Sequence, residues 1–290
     1  MHDSLRVIRE RFHPLFCFRM TRFGRSAVRV LDAPVWLSIP SISFKVRGRL
    51  VTHGFAFAAV GWQEPNPEAL TLACFARLGL RSFWDVGANI GYYTWLVKSA
   101  APNVEAILFE PFVPNLELIR ATIQRAALTG VDVVAAAVSD RCGQGTLRTN
   151  PLAGATSSLE ISETTFEERY WGMKPGWQNT PLVSIDDIRS KRGAVDFIKI
   201  DVEGHEAAAL RGAVRTIATD QPIVFVECSH YPSHPCLALE QPGYRLVDAD
   251  RLSLSCDPRS TNFFAFPQRF WPAVEPLIDA ARCSTSKGRR

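Results

Sequence analysis

The chain has 290 residues, of which 47% are hydrophobic and 21% charged, and it carries a formal net charge of +4. That balance belongs to a globular protein able to bury a full core, and it excludes a disordered or collagen-like chain. The longest apolar run, around Phe55 to Val60, falls far short of the roughly 18 to 20 residues that cross a bilayer, so no transmembrane helix is expected.

The N-terminal region is read as a basic arm and cap, residues 1–66. Residues 1–49 hold ten Lys and Arg against Asp3, Glu10 and Asp32, a net +7, whereas the remainder sums to −3. Phe12, Leu15, Phe16, Phe18 and Phe23 interleave with the arginines. Such an arm is suited either to peripheral contact with an anionic membrane surface or to packing its apolar stripe on the main domain. His13-Pro14, Arg19, Arg22 and Arg25 interrupt the apolar stretch that a signal peptide needs. The seven cysteines are scattered without a Cys-x-x-Cys pair, which argues against a disulfide framework or a zinc site. A cytoplasmic location is therefore expected.

Residues 35–60 read as short extended pieces, and Pro65-x-Pro67 opens a helix through about Leu78. A regular alternation follows: strand Ser82–Val86, helix Tyr92–Ala100, strand Val104–Phe109, helix Asn115–Leu128 and strand Val131–Val138. After Asp140 comes a polar hairpin, then a stretch without persistent period, Asn150 to Thr180, read as a substrate loop at 150–180. The alternation resumes with strand Val195–Ile200, helix Glu206–Ala218, strand Ile223–Glu227 and two β runs near Tyr244–Val247 and Asn262–Phe266. Apolar strands alternating with helices predict an α/β domain, residues 67–281, with a doubly wound, mostly parallel sheet covered on both faces. Residues 282–290 are small, polar and basic, and are read as a disordered tail.

The chemistry concentrates at strand ends. Asp85-Val86-Gly87-Ala88-Asn89-Ile90-Gly91 lies where a strand passes into a helix, the place where ligands bind in parallel sheets. Glu110, 23 residues after Gly87, ends the next strand where a carboxylate can grip a ribose diol. Ser139-Asp140, after the third strand, is placed to meet an adenine edge. Two cofactors compete for this set. A dinucleotide brings an anionic pyrophosphate that is poorly matched to Asp85, whereas S-adenosylmethionine brings a sulfonium and an ammonium that match carboxylates.

The strings DVGANIGYYT (85–94), FEP (109–111), AVSD (137–140) and IKIDVEGHE (198–206), in this order and spacing, closely resemble the FkbM family of S-adenosylmethionine-dependent methyltransferases. The resemblance covers about Glu68 to Phe266 and implies a class I methyltransferase sheet of seven strands, the last antiparallel. It implies O-methylation of a hydroxyl on a sugar, glycan or natural-product acceptor, with S-adenosyl-L-methionine as cofactor. Asp85, Gly87, Asn89, Gly91, Thr94 and Glu110 match the family's cofactor motif, and Asp140 its adenine-side position.

Asp201, Glu203, His205 and Glu206 crowd the fourth strand end, which makes Asp201, Glu203 and His205 candidate catalytic residues. Asp201 or Glu203 is preferred over His205 as the base. Asp201 and Glu203 are expected to share one strand face, with Glu206 capping the next helix. Ser157, Ser158, Tyr170 and Trp171 in the loop, with Glu227 and His230 near the rim, are candidate substrate contacts. A metal site can be drawn from Asp201, Glu203, His205 and Glu227, but no spacing is diagnostic, and no required metal is expected.

Two rival readings are an NAD-dependent oxidoreductase and a nucleic-acid methyltransferase. Tyr170 and Lys174 have the Tyr-x-x-x-Lys spacing of short-chain dehydrogenases, yet Gly172, Pro175 and Gly176 oppose the helix that pair needs. The slightly acidic main domain is a poor surface for phosphate, so no specific nucleic-acid binding is expected.

Overall fold

The computed structural model describes residues 21, 24, 30–54, 64–149, 157–159, 175–228, 239, 243–257 and 259–287. Strands β1 (Pro34–Leu37) and β2 (Val46–Arg49) form an antiparallel hairpin. Where an extended piece is predicted next, Leu50–Gly54 instead forms one π-helical turn. The buried Asp32 carboxylate explains it: Oδ1 accepts from the Val51 and Thr52 amides, each at 2.8 Å, and Oδ2 accepts from Thr52 Oγ1 at 2.6 Å. A strand would point those donors in opposite directions.

The alternating unit begins with α1 (Pro65–Arg77), which has proline in its first turn, where the missing N–H costs nothing. In chain order follow β3 (Ser82–Val86), α2 (Tyr92–Ala100), β4 (Glu105–Phe109), α3 (Val113–Ala126), β5 (Val131–Val134), β6 (Ala137–Val138), β7 (Gly143–Thr149) and β8 (Gly176–Val183). Then come α4 (Ile185–Arg192), β9 (Phe197–Ile200), α5 (Glu206–Arg211), α6 (Val214–Asp220), β10 (Ile223–Glu227), β11 (Arg245–Asp248), β12 (Asn262–Phe266) and α7 (Trp271–Lys287). Helix α1 starts at Pro65, so the sequence boundary at residue 66 falls inside it.

The central sheet has seven strands in the order β11-β12-β10-β9-β3-β4-β5. All neighbours are parallel except β12, which runs antiparallel to both β10 and β11. This is the mostly parallel seven-stranded sheet of the class I methyltransferase architecture. Period-two alternation in the strands builds two cores. Trp84, Phe109, Ile198 and Val226 face one layer, while Phe83, Phe197, Phe225 and Phe264 face the other under α1, α2 and α7. Phe225 and Phe264 stack with centroids 4.6 Å apart. Ile39, Ile42 and Val46 of the N-terminal hairpin join a third cluster with Trp95 and Ile119, so the hairpin shares a core with α2 and α3.

Four sequence expectations are corrected. The run Val131–Val138 is two strands: β6 leaves the central sheet and pairs parallel with β8 in a separate three-stranded sheet, order β6-β8-β7. For the same reason Gly176–Thr180 is strand, paired across to Thr149–Gly145, and does not belong to a loop. The helix expected over Glu206–Ala218 breaks at Gly212, where a Cβ would lie 2.1 Å from the Ser139 carbonyl oxygen. Asp186 Oδ1 restarts it as α6 by accepting from the Thr216 amide at 2.7 Å. Finally, α7 continues through Lys287 where a disordered tail is expected from residue 282. Ala281 is buried, and Arg282 Nη2 donates to the Leu252 carbonyl at 2.6 Å.

Candidate active site

Register places the site. Val86 pairs with Phe109 and with Ile200, and Ile200 with Val226, so β4, β3, β9 and β10 end at one level. The residues that follow or close those strands, Gly87, Glu110, Asp201 and Glu227, therefore stand side by side at the carboxyl edge.

The turn after β3 is fixed from both sides. Gly87 has φ +76°, and an added Cβ would sit 1.8 Å from the Asp201 carbonyl oxygen. The Gly87 and Ala88 amides both donate to the Phe109 carbonyl at 3.0 Å. Asn89, also left-handed at φ 54°, donates its amide to Glu110 Oε2 at 2.7 Å and accepts from Asn115 Nδ2 at 3.1 Å. Gly91 starts α2 and packs against the Trp95 indole, so it shapes the turn without lining the cleft. Thr94 likewise lies beneath the cleft, fully buried, and donates to Asp85 Oδ2 from its amide at 3.1 Å and from Oγ1 at 2.8 Å. Asp85 Oδ1 is buried with no hydrogen-bond donor among the described residues, its nearest cation being Lys199 Nζ at 3.7 Å.

One lobe of the cleft opens beyond β4. Glu110 faces Val138, Leu147, Leu159 and Ser157 across it, and His205 closes one side. Glu110 Oε1 accepts from the Phe112 amide at 2.8 Å. Burial nevertheless pushes the Glu110 carboxyl up to about 8, against the pull of its N–H donors. His205 Nε2 is hydrogen-bonded to Ser139 Oγ at 3.0 Å. Asp140 stands outside the lobe, within ion-pair range of Arg211 at 3.5 Å and Arg141 at 3.4 Å. Ser158 bridges to Arg148 through the backbone and donates Oγ to the Glu203 carbonyl at 2.7 Å.

The second lobe lies between β3, β9, β10 and α1, and shares Gly87, Asn89, Asp201 and Glu203 with the first. Lys199, buried at 3% exposure, donates to Asp201 Oδ2 at 3.0 Å and sits 5.2 Å from the Tyr93 ring centroid. Tyr93 OH donates to Glu64 Oε2 at 3.2 Å. Burial pushes the Glu68 carboxyl up to about 7. Glu227 is held well above the ordinary carboxylate range, first by the charge of Asp201 and then by burial.

Asp201 and Glu203 both reach the cleft, but not as alternating strand residues. Strand β9 ends at Ile200, and the chain turns through left-handed Glu203 (φ 53°) and Gly204 (φ 100°). Buried Glu206 stabilises that turn, its Oε1 accepting from the Gly204 amide at 2.9 Å and the Val202 amide at 3.3 Å. Glu227 lines the second lobe with Asp201, while Ser157 and His205 line the first. Tyr170, Trp171 and His230, with Lys174, lie outside the described residues. Sequence reasoning missed Lys199, Glu64, Glu68, Tyr92 and Tyr93. Among the described residues no three His, Cys, Asp or Glu side chains converge as metal ligands would.

The model of the family described as Methyltransferase FkbM domain matches residues 85–246. A curated relative, 31-O-demethyl-FK506 methyltransferase FkbM of Streptomyces tacrolimicus, is 28% identical over 172 residues, covering 50% of this chain and 66% of the relative. The chain thus spans just under two thirds of that protein. Among solved structures, Methyltransferase FkbM from Methylobacillus flagellatus KT aligns with a TM-score of 0.44 at 21% identity, covering 68% of this chain and 48% of that one. Precorrin-6y C5,15-methyltransferase from Geobacter metallireducens GS-15 aligns with a TM-score of 0.41 at 12% identity, covering 69% and 87%. No helix among the described residues is long and apolar enough to cross a membrane. The family match begins on Asp85 at the turn after β3 and runs into β11, taking in all four strand ends and more than half the chain: this protein belongs to the FkbM methyltransferase family.

Proposed function

We propose that the chain is an S-adenosyl-L-methionine-dependent O-methyltransferase acting on a hydroxyl of a sugar, glycan or other natural product. The observation that carries this reading is the row of carboxylates at adjacent strand ends, Asp85, Glu110, Asp201 and Glu227, around the Gly87 turn. The cofactor, when bound, supplies a methyl group on a positively charged sulfonium, and it carries an ammonium as well. Asp85 Oδ1, a buried lone pair without a donor among the described residues, and Asp201 fit a cation. Glu110 has the acceptor oxygens for a ribose diol, and Val138, Leu147 and Leu159 offer an apolar slot for a flat base. The same carboxylates would repel the pyrophosphate of a dinucleotide or the backbone of a nucleic acid.

The Streptomyces relative is a 31-O-demethyl-FK506 methyltransferase, and an O-demethyl substrate there supports a hydroxyl acceptor here. In the second lobe, Tyr92 and Tyr93 with Glu64 and Glu68 offer ring faces and hydroxyl-binding oxygens. Holding the acceptor oxygen in line and excluding water supplies most of the acceleration, while a base contributes about 10² to 10⁴.

Isothermal titration calorimetry with S-adenosylmethionine, S-adenosylhomocysteine and NAD⁺ tests the reading. Micromolar binding of the first two, weakened at least tenfold by Glu110→Ala, is expected. Binding of NAD⁺ with neither of the others overturns it.

A further inference from the structure

The second lobe holds more carboxylates than its single lysine neutralises, and register decides which two interact most. Val226 of β10 lies opposite Ile200 of β9 in the parallel ladder, so Asp201 and Glu227 leave neighbouring strands together and line the same lobe. They are not equivalent. Asp201 Oδ2 is 3.0 Å from the buried Lys199 ammonium, and the Asp201 amide is tied to the Val86 carbonyl at 3.0 Å. Asp201 therefore has an ion-pair partner within the lobe. Glu227 is half-buried beside it.

Building on the cofactor reading above, we propose that Glu227 holds a proton in the free protein, surrenders it when the cationic cofactor binds, and is thereby the base that receives the acceptor's hydroxyl proton. Groups on several elements of the lobe bear on Glu227, Glu68 of α1 and Asp85 of β3 lining it too. Asp201 follows β9, Glu203 sits in the turn after it, and Glu64 precedes α1; all three charges favour a proton on Glu227, and burial adds to them. Lys199 on β9 opposes. Tyr93 on α2 is neutral and bonded to Glu64, and Asn262 of β12 is the uncharged cross-strand partner of Glu227. Two like charges in a desolvated lobe cannot both persist cheaply, so the partner lacking a salt bridge takes the proton.

A cation entering the lobe reverses that balance, and the proton leaves for solvent. In the transfer step the acceptor oxygen's lone pair forms the new C–O bond and the S–C bonding pair stays on sulfur. The hydroxyl proton passes to the Glu227 carboxylate, so charge and atoms balance. Asp201 is the poorer base because an ammonium already holds its Oδ2. Glu203 is exposed at the mouth of the cleft.

Calorimetry of the full chain in phosphate, HEPES and Tris at pH 7 reads protons released on binding from the dependence of heat on buffer. Two probes separate the groups. 5′-Methylthioadenosine, which is neutral, reaches only carboxyls such as Glu110 that meet the nucleoside, whereas S-adenosylmethionine also brings positive charge to the pair. We expect S-adenosylmethionine to release more protons than methylthioadenosine from the wild type. That excess should vanish in Glu227→Gln and survive in Glu227→Asp. Equal release by the two ligands in the wild type, or an excess retained in Glu227→Gln, overturns the proposal, and the wild-type comparison stands even if a variant does not fold. Failure of S-adenosylmethionine to bind at all would instead remove the cofactor reading on which it rests.

Discussion

Gly87→Ala tests whether the turn after β3 is set by contact between two strand exits. An alanine at φ +76° costs about 1–2 kcal/mol for the left-handed conformation alone. The new Cβ would also lie 1.8 Å from the Asp201 carbonyl oxygen, a backbone atom that cannot swing aside. Relief requires the exit of β9 to move by more than about 1 Å, since contacts below about 3 Å are not tolerated. That movement breaks the Asp201 amide to Val86 carbonyl bond and strains the Gly87 amide to Phe109 carbonyl bond, both 3.0 Å, at about 0.5–1.5 kcal/mol each. The sum is about 2–5 kcal/mol, a fall in melting temperature of roughly 5–15 °C for a domain of this size. Asp201 and its bond to Lys199 move with the turn, so the affinity for S-adenosylmethionine should fall at least tenfold. Gly79→Ala is the control: its φ is +65°, but no atom lies within 4 Å of the added Cβ, so it bears the conformational cost without the clash. Circular-dichroism melts and calorimetry of the two variants decide the matter. Equal melting temperatures for Gly87→Ala and Gly79→Ala would refute the contact argument.

Lys98 donates to the carbonyls of Pro102, Val104 and Thr129 at 2.5, 2.8 and 2.9 Å, clamping the α2 to β4 connection to the loop before β5. Lys98→Met keeps the stem and strands three acceptors, so its urea midpoint should drop by the equivalent of about 2–4 kcal/mol; an unchanged midpoint contradicts the clamp. Stability of the unliganded protein should also fall as pH rises from about 4.5 towards 8. Folding raises the Glu110 carboxyl from 4.5 to about 8 and the Glu68 carboxyl from 4.5 to about 7. Within that window the folded state therefore binds more protons than the unfolded chain, and stability is lost as the pH climbs. For Glu110 alone the loss is of order 3–5 kcal/mol, and Glu110→Gln should flatten the slope of urea midpoints measured between pH 5.5 and 8.5. A wild-type profile that rises over this range refutes the burial argument.

Local pattern recovers elements whose boundaries are themselves local. Ser82–Val86, Tyr92–Ala100, Ile223–Glu227 and Asn262–Phe266 are read with their observed limits, because each is an apolar run or period closed by a turn residue or a change of period. The division between β5 and β6 has no such mark: Val133 to Val138 is an unbroken apolar run, and only pairing of Ala137 and Val138 with Leu182 and Val183 splits it. The break at Gly212 is similarly tertiary, since it is the Ser139 carbonyl pressing on the helix that admits no side chain there. A lone glycine inside a helical period carries no sign of which atom approaches it.

The two lobes of the site differ in legibility for a related physical reason. The first is a backbone problem: a tight turn needs Gly87, a left-handed corner needs Asn89, and a strand-end carboxylate must follow at a fixed distance, so residue type and spacing are constrained together. The second is a side-chain problem solved from α1, α2, β9 and β10 at once, and no window of sequence spans it. Lys199 hides there as one charge in the buried strand Phe197–Ile200, and Glu64 and Glu68 look like ordinary acidic residues at the start of a helix. Glu64 and Glu68 also precede the family match at residue 85. On the proposed reading, any acceptor contact through them would lie outside the part of the chain that the family model matches. Glu64→Gln and Glu68→Gln should accordingly alter acceptor choice before they alter cofactor affinity.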